Sequence, residues 1–331
     1  MARPRRRPLA CVLAVGVAGV AVGLTAAAYS GTTTERIDVT ANTDWTAPTA
    51  SPIAIAKSTG GEEGYIKQAG SYRVYANVTD SGNPAAGAGT VTTNASAVTT
   101  GQSAAAMTTT GGPFTINGTS YSHRSAALTA NTPLTGTPAF SIAAVDVASP
   151  VNTMSPASGT VTMDNTAPTP TSIATSNAGG TAGRPVISDT ITFTWQANEV
   201  IDKYSISANW TGATLNCVVR INNNIAATAN NDQLLVYDSA NTAVLPLTGA
   251  NGVNLGTQGY VGANRTFGAT GTASSISRSG NAITVTLGTP SAAATTSAAG
   301  SMIWNPSATA TDRAGSASGT ATITAASKAE F

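Results

Sequence analysis

The chain has 331 residues, of which only 9 % are charged, with 16 Lys and Arg set against 15 Asp and Glu. Beyond an N-terminal run the basic residues are scattered, which excludes the clustered positive charge that nucleic acid or an anionic membrane surface requires. One histidine and two cysteines nearly exclude a zinc site made of His and Cys ligands.

Residues 1–28 read as a secretory signal peptide. Arg3, Arg5, Arg6 and Arg7 form a basic start, Leu9 to Leu24 an apolar stretch of 16 residues, and Ala26, Ala27 and Ala28 a small-residue cleavage site. A bilayer span needs about 20 apolar residues, so cleavage after Ala28 is expected over retention as an anchor. Arg6 and Arg7 before Pro8 and Leu9 hint at a twin-arginine signal, although a basic start alone explains them. Cys11 sits at the beginning of the apolar stretch rather than after it, which argues against lipidation. Removing the four arginines leaves 12 basic against 15 acidic residues, a net charge near −3. With no second apolar run of spanning length, the remainder is expected outside the membrane, secreted or at the cell surface. Only Cys217 would remain, so no internal disulfide is available and stability has to come from packing. In the run from Cys217 to Ile221 it reads as a small buried hydrophobe.

Residues 29–44 form an N-terminal extension, polar except for Ile37 and Val39 at strand spacing. A hexapeptide then occurs twice, DWTAPT at Asp44–Thr49 and DNTAPT at Asp164–Thr169, and marks where modules begin. In the first module, residues 45–164, Tyr72, Val74, Ala76 and Val78 alternate with polar neighbours, the period of a half-buried strand. Asp80, Ser81, Gly82, Asn83 and Pro84 supply turn chemistry behind them. Further strands are expected at Thr90–Thr93, Phe114–Ile116 and Phe140–Val145. The second module, residues 165–326, carries Ile191, Phe193 and Trp195 in alternation. Strands are expected next around Tyr204 and Ile206, then at Val218–Ile221, Leu234–Tyr237, Ile283–Leu287 and Met302–Trp304. No apolar period of 3.6 residues persists for three turns, so the fold class is all-β with little helix.

The module ends also match. AVDVAS around Asp146 corresponds to ATDRAG around Asp312, and ASGTVTM at Ala157–Met163 corresponds to ASGTATI at Ala317–Ile323. The two aspartates are further apart than the two hexapeptides, which places an insertion in the second module, within Asn222–Arg265. Strands this closely spaced suit two tandem β-sandwiches.

The junction sequences ASGTVTM and DNTAPT, with the turn ATDRAGS, resemble those of bacterial immunoglobulin-like repeat domains on secreted and cell-surface proteins. The segments NWTG, LLVYD, ITVTLGTP and IWNPSATATDRAG are similar to segments of actinobacterial secreted proteins. These resemblances imply location and an immunoglobulin-like fold, not an activity. Separately, AAAYSGTTTE resembles the start of camelysin and biofilm-matrix fibre proteins, which implies assembly by strand addition from Tyr29.

Several constellations bear on chemistry. His123 in SYSHRS is the one histidine available to a Ser-His-Asp triad, with Asp80 or Asp146 to orient it, yet no nucleophile turn of the GxSxG kind occurs. It reads as a surface histidine in a turn. Glu62 with Glu63, and Glu199 with Asp202, are the close acidic pairs that a glycosidase would need; the first reads as a solvated loop, the second as a turn cap. Trp195 is expected in the core; Trp210 in NWTG is the best candidate among the four for an exposed aromatic, yet a packed loop anchor is the favoured reading. Trp45 and Trp304 complete the set from which a sugar platform could be drawn. The triplets starting at Asn77, Asn94, Asn117, Asn209 and Asn264 arise by chance in so Asn- and Thr-rich a chain. Calcium is the ion that the sequence supports best: Asp44, Asp164, Asp146 and Asp312 recur at module ends, and a hinge offering Asp and backbone oxygens suits a hard cation. The competing explanation is that Asp in a turn serves its own local hydrogen bonds.

The expected function is a secreted or cell-surface structural or adhesive protein that is not an enzyme, whose partner is an extracellular protein or glycan. A carbohydrate-binding or hydrolytic protein and a subunit of an extracellular fibre are the alternatives. No nucleic acid is expected, and membrane contact only through an uncleaved leader. No LPxTG-like motif precedes Phe331, so sortase attachment is not expected.

Overall fold

The computed structural model describes residues 44–82, 87–132 and 135–331. Residues 1–28, expected as a leader, the extension up to Thr43 and the expected turn residues Asn83 and Pro84 lie outside these. The fold is all-β. No helix among the described residues is long and apolar enough to cross a membrane.

Twelve strands precede Asp164: β1 (Thr49–Lys57), β2 (Tyr65–Ile66), β3 (Ser71–Thr79), β4 (Ala88–Asn94), β5 (Ala105–Thr108), β6 (Phe114–Ile116), β7 (Thr119–Tyr121), β8 (His123–Ser125), β9 (Leu128–Thr129), β10 (Ala139–Asp146), β11 (Ala157–Thr160) and β12 (Thr162–Met163). Their main sheet runs β1-β3-β8-β5-β4-β10-β11, with β9 also on β3. It curls until Gly159 of β11 meets Ile53 of β1. The alternation seen in the sequence explains the core: Tyr72, Val74, Ala76 and Val78 of β3 point inward against Val91, Phe140 and Ile142. On the other face of β3, Tyr75 is buried as well, together with Ala54 and Ala56 of β1, beneath the β6–β7 hairpin that supplies Phe114, Ile116 and Tyr121. That hairpin turns through Asn117 and Gly118, both with positive φ, the Asn-Gly pair that a tight hairpin turn favours.

Ten strands, one α-helical turn and one 3-10 turn (Ala226–Thr228, behind β15) follow: β13 (Pro170–Ser176), β14 (Thr190–Trp195), α1 (Lys203–Ile206), β15 (Thr214–Ile225), β16 (Asn231–Asp238), β17 (Val253–Asn254), β18 (Arg265–Phe267), β19 (Ser274–Ser279), β20 (Ala282–Thr286), β21 (Ile303–Trp304) and β22 (Ile323–Thr324). They form one sheet, β13-β14-β20-β19-β15-β16-β17-β21-β22, with β18 also on β15. The stretch expected as an insertion supplies β16 and β17, both integral to this sheet. Ile191, Phe193 and Trp195 of β14 face inward, and Trp304 meets Phe193 and Trp195 with ring centroids 5.1 and 5.2 Å away in edge-on contact. Both indole N–H groups are satisfied, Trp195 by Ser318 Oγ and Trp304 by Leu247 O, each at 2.9 Å, so these two rings are buried without an orphaned donor. Buried Asp232 organises the added loops by accepting from the backbone N–H of Asn224, Tyr260 and Val261.

Strand pairing among the described residues does not cross Asp164, yet both strand sets belong to one compact unit. Side chains join them. Lys57 Nζ, at the end of β1, donates to Asp202 Oδ2 at 2.5 Å and to Asp312 O at 3.2 Å. Lys67 Nζ donates to Gly315 O at 2.8 Å. Arg278 of β19 grips both oxygens of Glu62, a bidentate geometry that only Arg provides. The Arg313 guanidinium lies 3.6 Å over the Tyr65 ring, and Tyr204 Oη donates to Asn117 Oδ1 at 2.7 Å.

Two local expectations are corrected. The region of Tyr204 and Ile206 is not a strand but a single helical turn, because Asp202 Oδ1 accepts from Tyr204 N–H at 2.9 Å and caps it. His123 is not a surface turn residue; it lies buried in β8, with Nδ1 2.8 Å from Ser122 Oγ, and burial lowers its pKa. Trp210 is fully buried, as the packed loop anchor favoured for it would be, whereas Trp45 is 77 % exposed.

Candidate metal centres

The four aspartates expected as calcium ligands fall into two separate groups, and each group gains a third carboxylate. Asp44 and Asp146 meet Asp80, and Asp164 and Asp312 meet Glu199. In each trio one oxygen per residue lies within 4.8 Å of the other two.

The positioning of each residue follows from local backbone chemistry. Asp44 and Asp164 open the two hexapeptides and make the same turn: Oδ1 accepts from the N–H two residues on, Thr46 at 2.9 Å and Thr166 at 3.2 Å. Asp80 stands directly behind β3, as Glu199 stands four residues behind β14. Asp146 ends β10, where Oδ1 accepts from the N–H of Ala148 and Asn152 at 3.1 and 2.8 Å and Oδ2 accepts from Asn152 Nδ2 at 2.6 Å. The same Asn152 amide donates to Asp44 O at 2.7 Å and so fixes two members of the trio together. Gly82 is needed beside them, since a Cβ there would run into the Asp44 carboxylate.

In the second trio Asp312 Oδ1 accepts from Ser316 N–H at 2.8 Å, at the turn where Gly315, with φ +89°, lets the chain reverse. Asp312 Oδ2 and Glu199 Oε2 are buried and have no hydrogen-bond partner; their residues are 1 % and 5 % exposed. Burial pushes the Asp312 carboxyl up to about 6, with the nearby charge of Asp164 adding to the rise and the Ser316 N–H opposing it. Glu199 is raised for the same first reason, then by the charges of Asp164 and Asp312. Like charges in a dry setting disfavour one another's ionised form. A set of oxygen ligands with no nitrogen or sulfur is suited to a hard cation such as calcium and not to zinc.

The pairs considered for glycoside hydrolysis have other partners. Glu199 belongs to the trio, and Asp202 is bonded to Lys57, to Tyr204 N–H and, at 3.2 Å, to Glu62 N–H. Glu62 is held by Arg278 and Glu63 accepts from Tyr121 Oη at 3.2 Å, so neither is a freely solvated loop carboxylate. A cleft of about 240 Å³ lies over Asp202, lined also by Lys57, Gly61, Tyr204 and Thr311, below the roughly 300–1,000 Å³ of small-molecule sites. A more open hollow of about 600 Å³ is bordered by the polar residues Lys67, Gln68, Thr135, Asn165 and Ser316. Cys217 is buried and its thiol is pushed up to about 12 by burial.

Asp80 and Glu199 were hidden from a motif search because they differ in type and sit in unlike surroundings. One signal could have found them: Asp80 follows Asp44 by 36 residues and Glu199 follows Asp164 by 35. Comparison of the chain with protein-family models, curated proteins and solved structures found no match.

Proposed function

We propose that this chain is a secreted or cell-surface structural or adhesive protein, built as two tandem immunoglobulin-like β-sandwiches and without catalytic activity. The observation that carries the reading is the junction itself. Lys57, Lys67, Glu62 and Tyr65 of the first strand set are each bonded to, or stacked on, a residue of the second. Conformational freedom between the halves is thereby spent on stiffness, which suits a spacer or presenting element and not a cleft that opens around a substrate. The N-terminal leader supports export, and the low, scattered charge suits a role without electrostatic steering.

The test is a broad hydrolase panel run beside a glycan array on protein beginning at Tyr29. The structural reading expects both to be silent. Turnover that vanishes in Glu199→Gln or Asp202→Asn would replace it with a hydrolytic one. Trp45 favours a second reading, carbohydrate binding, because it is the exposed indole that could stack on a sugar face. Array signal that disappears in Trp45→Ala would establish that reading.

A further inference from the structure

We propose that Asp164, Glu199 and Asp312 bind one hard divalent cation, calcium, at the connection between the two strand sets. Three carboxylates that approach to within 4.8 Å repel one another, and a shared cation turns that repulsion into attraction. Oxygens bound to one calcium ion at about 2.3–2.6 Å can be no further apart than about 5 Å, so the observed approach admits a common ion. The independent observation is the state of the two deepest ligands. Asp312 Oδ2 and Glu199 Oε2 are shut away from water and from every donor, a condition that costs the full desolvation of a charged atom unless something positive fills the gap. Lys57 does not fill it: its ammonium is spent on Asp202 Oδ2 and the Asp312 carbonyl.

The same arrangement at Asp44, Asp80 and Asp146, drawn from matching positions of the first strand set, argues that the clustering is a designed feature of the repeat and not an accident of one loop. Three carboxylates supply between three and six of the 6–8 oxygens that calcium takes, with water and backbone carbonyls for the others. Zinc is disfavoured by the absence of His and Cys from the trio. Bound there, the ion ties the connecting segment at Asp164 to the 312–316 turn, which Lys57 and Lys67 already hold from the first strand set. The inference concerns the ion alone and stands whether or not the structural role proposed above is right.

Titration calorimetry and thermal unfolding of the chain from Tyr29 test it, with calcium chloride or magnesium chloride as the titrant after treatment with a chelator. The wild-type protein is expected to bind calcium in the 10⁻⁴–10⁻³ M range of extracellular modules or more tightly, and its Tm is expected to rise with calcium. Asp312→Asn and Glu199→Gln should each reduce the number of calcium ions bound by one per chain, whatever the first trio contributes. The two proteins should also change order. Without calcium Asp312→Asn melts above wild type, because it removes a repelling charge yet keeps an acceptor for Ser316 N–H; with calcium it melts below. An unchanged stoichiometry in both variants, or a wild-type Tm indifferent to calcium at about 5 mM, well above that range, overturns the proposal. So does a variant that melts lower by the same amount in both conditions, since that marks a purely structural carboxylate.

Discussion

Lys57 Nζ lies 2.5 Å from Asp202 Oδ2, and the two residues are 145 positions apart in sequence. Asp202 is fully buried and Lys57 only partly so, which makes this a contact whose two ends are unequal. Asp202 also caps α1 and accepts from Glu62 N–H, so it would retain two backbone donors if Lys57 were lost. Lys57 would retain only the Asp312 carbonyl if Asp202 were lost. Asp202→Ala is therefore expected to lower unfolding stability by about 3–5 kcal/mol, the usual cost of stranding one member of a buried pair. Lys57→Met is expected to lower it by less. Urea midpoints of the two variants check the order, and the reverse order would show that the cap and turn bonds contribute little.

Trp304 links two other rings of the second core, through edge-on contacts with Phe193 and Trp195, and bonds to Leu247 O. Trp304→Ala is expected to cost about 3–5 kcal/mol, and Trp304→Phe less, since the smaller ring keeps part of the stack while leaving Leu247 O unpaired. Near-ultraviolet circular dichroism should lose the coupled indole signal in both. A drop under 1 kcal/mol for the alanine variant would mean that the cluster relaxes around the gap.

His123 gives stability an acid-sensitive component of known sign. Its pKa is lowered from 6.5 by burial in β8, so the unfolded chain takes up the proton more readily than the folded one. Stability from this residue is complete above about pH 6.5, the unfolded value, and is lost as the pH falls below it. Asp312 and Glu199 act in the opposite direction, because their raised values favour the folded state at low pH. The informative quantity is thus the difference between wild type and His123→Gln. That difference should shift in favour of the variant between pH 7 and pH 5, and a flat difference would refute the assignment.

Cys217 should resist thiol reagents in the native protein at pH 8. Burial both blocks access and pushes the thiol up to about 12, leaving almost no thiolate. Labelling with an aromatic disulfide reagent should follow the denaturation curve, and rapid labelling of native protein would mean that β15 opens locally.

The period-two strands were plain in the sequence because one face of each is buried. Tyr72 to Val78 and Ile191 to Trp195 show the pattern without ambiguity. A single helical turn has no period to detect, so Lys203–Ile206 was legible only through its cap, Asp202. His123 sits in a run of hydroxyl residues that looks solvated. Yet Tyr121, His123 and Ser125 alternate inward, and Ser125 Oγ is occupied by Val74 N–H and Ala126 O, so a polar sequence lines a dry face. For the carboxylate trios, repeat matching located the members that share a motif. Asp80 and Glu199 are brought in by the strand that returns after each hexapeptide, a fact of tertiary packing that only the near-equal offsets betray.

The turn 312–316 has a mechanical meaning. Tension drawn along the backbone from β12 reaches the second strand set at Asp164, while the first strand set grips the same turn through Lys57, Lys67 and the Tyr65–Arg313 stack. A pull that separates the halves therefore has to break these contacts in parallel and not one after another. Contacts in parallel yield at a higher force than the same contacts unzipped in series.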